Sequence, residues 1–186
     1  HDSDGNGVIE DSDRIAMGSS DPKFFGGWNN TFSWKGLSLN VFLTYMYGNQ
    51  VFMGQGANLT RAGHTRNVLA EYYEKAWSGP GTTNTYPRIM NGMSWNQKNS
   101  DMLLQDGSFI RLRALTLAYN LPRKALDKMK MKGFRIYLQG DNLFLLTKYP
   151  GWDPEVSADL DPSKFGKDNL SVPQPRTYTL GVNLTF

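Results

Sequence analysis

The 186 residues contain no cysteine, which excludes disulfides, thiolate metal sites and cysteine nucleophiles outright. Histidine is nearly as scarce: His1 and His64 are the only two, and neither sits beside a serine or an acidic motif from which a triad could be built. Long apolar runs are missing too. No stretch reaches the about 18 consecutive apolar residues of a membrane-crossing helix, so any crossing of a bilayer must be made by strands. Nor does one sign of charge dominate. Twenty basic residues face 17 acidic ones, a net +3 that gives no case for nucleic acid. The densest basic stretch, Arg123–Lys132, reads as a solvated turn between strands.

What the chain does have is alternation. In Thr177–Phe186, Tyr178, Leu180, Val182, Leu184 and Phe186 fall on one face and Thr177, Thr179, Gly181, Asn183 and Thr185 on the other. A strand with one greasy and one small polar face suits a membrane barrel, because lipid and lumen are met by alternate residues. Four more segments share the period: Gly27–Trp34, Leu37–Tyr47, Phe109–Leu121 and Phe134–Leu143. The clearest is Leu37–Tyr47, where Leu37, Leu39, Val41, Leu43, Tyr45 and Tyr47 oppose Ser38, Asn40, Phe42, Thr44 and Met46. Mean hydropathy of −0.50 fits this class, since only every second strand residue is apolar and outer loops are polar. Strict alternation puts Arg111 and Arg113 in the leucine register of the third strand. That position is expensive at mid-bilayer, so this half of the strand is expected to project above the membrane.

Connection lengths alternate as well. Lys35-Gly36 and Pro122–Gly133 are short, whereas Gly48–Ser108 and Thr147–Gln174 are long, the pattern of short periplasmic turns and long outer loops. Within the first long loop, Val68, Leu69, Tyr72, Tyr73, Ala76 and Trp77 recur at helical spacing and Glu71 precedes Lys75 by four, which predicts a helix over Arg66–Trp77. Trp28, Trp34, Tyr45, Tyr47 and Tyr119 lie near strand ends, where amphipathic rings favour the headgroup layer. Five strands are too few to close a barrel, for which about eight is the minimum. The expectation is therefore an all-β fold, the C-terminal part of a large antiparallel barrel. Residues 1–26 would be an extracellular loop segment and 27–186 the strands and loops, with more strands upstream of His1.

Asp2 to Asp13 match the twelve-position calcium loop. Asp2, Asp4 and Asn6 supply oxygens at positions one, three and five, and Gly7 makes the turn. Val8 offers its carbonyl at seven, Glu10 stands where a ligand acts through water, and Asp13 closes the loop. A hard cation needs six or more oxygens around a sharp turn, which is why this spacing specifies calcium. Asp13 is shorter than the usual glutamate, and the Gly18, Ser19, Ser20 and Pro22 that follow preclude a flanking helix. A static brace is expected, with affinity of about 0.1 to 1 mM.

Trp95, Tyr149 and Trp152 are aromatic candidates for contacting a sugar or peptide, although packing within the loops is the commoner use of such rings. Asp153 and Glu155 could be drawn as a glycosidase pair, but neighbouring loop carboxylates are usually solvated or turn-forming, and no enzyme is expected.

Seven segments in order carry a resemblance: Asp2–Asp13, Pro22–Asn30, Asp106–Leu112, Leu117–Pro122, Gly140–Leu143, Tyr149–Val156 and Pro173–Thr177. Over essentially its whole length the chain resembles the C-terminal region of SusC/RagA-type TonB-dependent transporters of Bacteroidetes. The terminal aromatic Phe186 likewise resembles the closing signature of outer-membrane proteins. The resemblance implies a multi-pass outer-membrane barrel of roughly 22 strands with a plug, driven by TonB, capped by a SusD-like lipoprotein, and importing glycans or peptides. The alternative is a soluble, calcium-braced β-sandwich that binds carbohydrate at the cell surface. It requires Leu37–Tyr47 and Tyr178–Phe186 to pack against a second sheet.

Overall fold

The computed structural model describes residues 2–8, 10–54, 67–89, 99–155, 165–169 and 171–186. Among them the strands are β1 (Phe24–Trp34), β2 (Leu37–Tyr47), β3 (Gln50–Met53), β4 (Leu104–Asp106), β5 (Phe109–Asn120), β6 (Gly133–Thr147), β7 (Lys167–Asp168) and β8 (Thr177–Thr185). Two short helices accompany them, α1 (Ala70–Lys75) and α2 (Arg123–Lys128).

The five long strands form one antiparallel sheet in the order β1-β2-β5-β6-β8, so each wall strand pairs with the next one along the chain. Two of them outrun their expected limits, β1 starting at Phe24 rather than Gly27 and β6 continuing to Thr147, while β5 stops one residue short at Asn120. Lys35 and Gly36 join β1 to β2 with φ of 46° and 89°, the doubly positive turn whose twist matches paired strands.

Pairing lines up the apolar rows. Trp28 lies opposite Leu43, Phe32 opposite Leu39, Leu39 opposite Leu117, Leu117 opposite Leu138, and Leu138 opposite Leu180. This row is uncovered, with Leu180 71% exposed. The sandwich alternative needs that same row clasped by a second sheet, and the described residues place none over it.

The opposite face is polar and internally bonded. Asn40 Nδ2 donates to Asn29 Oδ1 at 2.8 Å and to Thr31 Oγ1 at 2.9 Å, and Thr177 Oγ1 donates to Asp141 Oδ2 at 2.8 Å. Tyr137 lies across Gly181, where an added Cβ would stand 2.2 Å from the ring, so only glycine fits.

A β-bulge overturns the expected facing of the arginines. Phe42 pairs with Ala114 but Leu43 pairs with Leu112, and on the other side Leu112 pairs with Phe144 while Ala114 pairs with Asp141. Asn142, inside the slip, has φ of 53°. The extra residue shifts the phase of β5, so Ile110 and Leu112 continue the apolar row while Arg111 pairs with Thr44 on the polar face. Arg111 therefore meets no lipid, and its charge gives no reason for the strand to leave the membrane.

The two ends of the sheet differ. Asn120 N–H donates to Gly36 O and Lys132 N–H to Thr185 O, both at 2.8 Å, which gathers the Lys35-Gly36 turn, the 121–132 connection and the end of β8 at one end. At the other, β4, β3 and β7 make a three-stranded sheet. Gly107 N–H donates to Asn49 O at 2.9 Å, joining the two short connections between this sheet and the wall, and Gln50 N–H donates to Ser19 O of the N-terminal segment at 2.9 Å.

Candidate functional site at the loop end

Beyond the bulge, the polar face of β5 carries an ionic cluster. Arg111 pairs with Asp153, and Arg113 pairs with Glu155. Arg111 Nε also lies 3.0 Å from Glu155 Oε2, an ion pair whose angles fall short of a hydrogen bond. Asp153 is buried, and its other oxygen accepts the Gln174 N–H at 3.2 Å. Of the two carboxylates expected to be solvated or turn-forming, Asp153 is thus taken out of water and Glu155 is half-buried, and two guanidiniums offset the desolvation that burial imposes. They pin the 149–155 loop and the segment before β8 against the wall. Asp153 also makes a turn, accepting from Glu155 N–H at 3.0 Å.

Tyr149, four residues before Asp153 in the same loop, is buried, its hydroxyl donating to buried Asp168 at 2.7 Å. Burial first, then that bond to a carboxylate, push the phenol well above the ordinary tyrosine range. A ring committed in this way is a post between the wall and β7, not a surface offered to a ligand. Trp152 is the reverse, 74% exposed. Trp95 and His64 lie outside the described residues, as do His1 and the start of the predicted helix. That helix is shorter than expected: α1 ends at Lys75 because Ala76 bridges to Tyr86. Its one buried side chain, Tyr72, packs on Tyr86 with ring centroids 5.1 Å apart.

The N-terminal loop folds as its glycines allow, with Gly5 and Gly7 at φ of 74° and 82°. Ligand oxygens of Asp2, Asp4 and Asp13 lie within 4.8 Å of one another. Such crowding is relieved by backbone donors: Gly5 and Gly7 N–H donate to Asp2 at 2.7 and 2.8 Å, and Ser3 and Glu10 N–H to Asp13 at 2.7 and 2.8 Å. These bonds hold both carboxyls below the usual range. Asn6 is turned the other way, its nitrogen donating to Asp4 at 2.9 Å while its oxygen accepts from Val8 N–H. Glu10 Oε1 accepts from Ser12 Oγ at 3.1 Å. The donor set fits a hard cation once the Asn6 amide rotates its oxygen inward.

The sequence matches no protein-family model. It is 32% identical to TonB-dependent receptor P3 of Formosa agariphila, with the whole chain aligned to 18% of that protein. It is 26% identical to TonB-dependent receptor SusC of Bacteroides thetaiotaomicron, again along the whole chain and over 17% of the receptor. A solved structure of the RagAB peptide importer in its open-open state superposes with a TM-score of 0.73 at 29% identity. The match covers 91% of this chain and 18% of that one.

The chain is homologous to SusC/RagA-type TonB-dependent receptors. Its antiparallel sheet is barrel wall of the outer-membrane class these receptors form, and its relatives are receptors and importers rather than enzymes. The chain spans under a fifth of the length of those relatives. Within this SusC/RagA-type segment, sequence reasoning missed the ionic cluster. The signal was there: arginines at 111 and 113 and carboxylates at 153 and 155 share a spacing of two, so that one strand edge can match one loop.

Proposed function

We propose that this chain is one part of a TonB-dependent outer-membrane importer of glycans or peptides, working with a SusD-like lipoprotein and drawing on TonB through parts of the receptor outside this segment. The observation that carries the reading is the two-faced sheet, apolar and bare on one side, polar and cross-bonded on the other, in a chain homologous to such receptors. That Asp153 and Glu155 are both occupied by arginines supports transport over glycoside hydrolysis at this pair. Of the two aromatic candidates among the described residues, Tyr149 is buried and Trp152 is exposed, which supports Trp152 as the one that meets a substrate or lid.

Uptake of a labelled oligosaccharide or oligopeptide pool by cells expressing the receptor that carries this segment tests the proposal. Uptake should need intact TonB and fall when the SusD-like gene beside it is deleted. Equal uptake without TonB contradicts the reading.

We further propose that Asp2, Asp4, Asn6, Val8, Glu10 and Asp13 hold a structural calcium ion that braces the loop against the barrel mouth. Support comes from the convergence of the three aspartates and the positive-φ glycines between them. Calorimetric titration of the folded receptor with calcium should give a single site of about 0.1 to 1 mM, lost in Asp2→Ala/Asp4→Ala. Absence of binding heat at millimolar calcium rules the site out.

A further inference from the structure

We infer that the short-turn end of this sheet is a docking surface for anionic phospholipid headgroups. The inference rests on the outer-membrane placement above. Six cations, Lys35, Arg123, Lys124, Lys128, Lys130 and Lys132, sit at this end, and all are exposed. One acid accompanies them: Asp127, which lies 3.8 Å from Arg123. The bare apolar row of the wall ends here in Trp34, Tyr119, Leu184 and Phe186, so the cations stand where hydrocarbon gives way to headgroups. Lys35 Nζ lies 5.0 Å from the centroid of the Trp34 ring, an aromatic and a cation sharing one depth.

The backbone supplies a second, independent argument. Lys35 and Lys130 have φ of 46° and 55°, in the left-handed region where glycine or asparagine fits with less strain. Turn formation alone does not favour lysine at either place; a requirement for positive charge does. In outer-membrane barrels short turns are periplasmic, which sets these lysines against the phospholipid leaflet. Cations near an anionic lipid surface each strengthen the attraction, and it fades beyond a Debye length of about 8 Å at physiological salt.

The test uses the full receptor reconstituted in phosphatidylcholine vesicles doped with spin-labelled phosphatidylglycerol or spin-labelled phosphatidylcholine, and reads the ratio of their association with the protein. The wild type should prefer phosphatidylglycerol at low salt and lose that preference as salt rises. Lys35→Asn/Lys130→Asn should lower the ratio by about twofold to fivefold per lysine removed. The same variant should keep, or raise, the temperature at which the heat-modifiable folded band is lost, because asparagine tolerates both turns better. Lys35→Arg/Lys130→Arg should retain the preference. A folded wild-type barrel with a ratio of one, or a ratio unchanged in the asparagine variant, overturns this inference alone, and the first leaves an acidic protein as what the cations face. A wild type with no heat-modifiable form overturns the spanning reading and this inference together.

Discussion

Arg111 and Asp153 are 42 residues apart in the chain and meet with side chains only 3% and 2% exposed. Each is the other's reason to be buried. Asp153→Ala leaves the buried Arg111 with Glu155 alone and strips the Gln174 and Glu155 N–H groups of their acceptor, so it should destabilise the folded receptor by up to about 3 to 5 kcal/mol. Arg111→Met/Asp153→Leu should restore much of that loss, because neither position then holds an unpaired charge. Denaturant titration of the folded receptor measures both, and an equal loss in the single and double variants contradicts the pairing.

The Tyr149 hydroxyl is the side-chain donor to Asp168, whose other oxygen accepts from Ser171 N–H at 3.2 Å. Tyr149→Phe leaves a buried carboxylate oxygen without that donor and should cost about 1 to 3 kcal/mol. Because burial and the bond raise the phenol, the contribution is complete below its ordinary 10.0 and is lost only as pH rises past the folded value. Spectrophotometric titration should thus find one fewer late-ionising tyrosine in Tyr149→Phe than in the wild type. Normal ionisation of every tyrosine near pH 10 contradicts this.

Leu138 and Gln139 are sequence neighbours on opposite faces of β6, paired with Leu180 and Thr179. Leu138→Arg should cost about 2 to 4 kcal/mol of stability in lipid, whereas Gln139→Arg should cost far less. Unfolding of the receptor from vesicles distinguishes them, and equal penalties contradict the assignment of faces.

Asp2 is held below its usual 3.8 chiefly by the Gly7 N–H, and Asp13 below its 3.8 chiefly by the Glu10 N–H. A depressed carboxyl contributes stability that is present above the unfolded value and lost as pH falls through the folded one. In metal-free protein, hydrogen exchange over residues 2–13 should therefore show protection at pH 5 that disappears only below 3.8. Protection already lost at pH 5 contradicts the account.

The wall strands were legible because two-residue periodicity ran through eight or more positions in each, and Lys35-Gly36 announced its turn. The facing of Arg111 was not. Alternation carries its phase forward one residue at a time, and the slip opposite Phe42 and Leu43 reverses it without leaving a mark in the composition. The strands of the small sheet are too short for any period to show, and β7 reaches β3 by parallel pairing from far along the chain. In α2 the strongly basic composition reads as a turn, although Leu126 buries itself to anchor one helical turn. Tyr149 and Asp153 show the same limit at the candidate site. Their residue types permit a ligand surface or a buried post, and only the third partner, Asp168 for one and Arg111 for the other, decides which.

The central claim is that alternate side chains of these strands face lipid and lumen, with the phase reversed at the β5 bulge. The segment holds no cysteine, so single cysteines can be placed one at a time from 177 to 185 and from 109 to 119 in the lipid-embedded receptor and probed with a membrane-impermeant maleimide. Thr179 and Asn183 should label while Leu180, Val182 and Leu184 stay protected. Along β5, protection should fall on Leu117 and Leu115 and then shift to Leu112 and Ile110, while Thr116 and Ala114 label. Unbroken alternation that labels positions 110 and 112, or labelling without any period of two, contradicts the account.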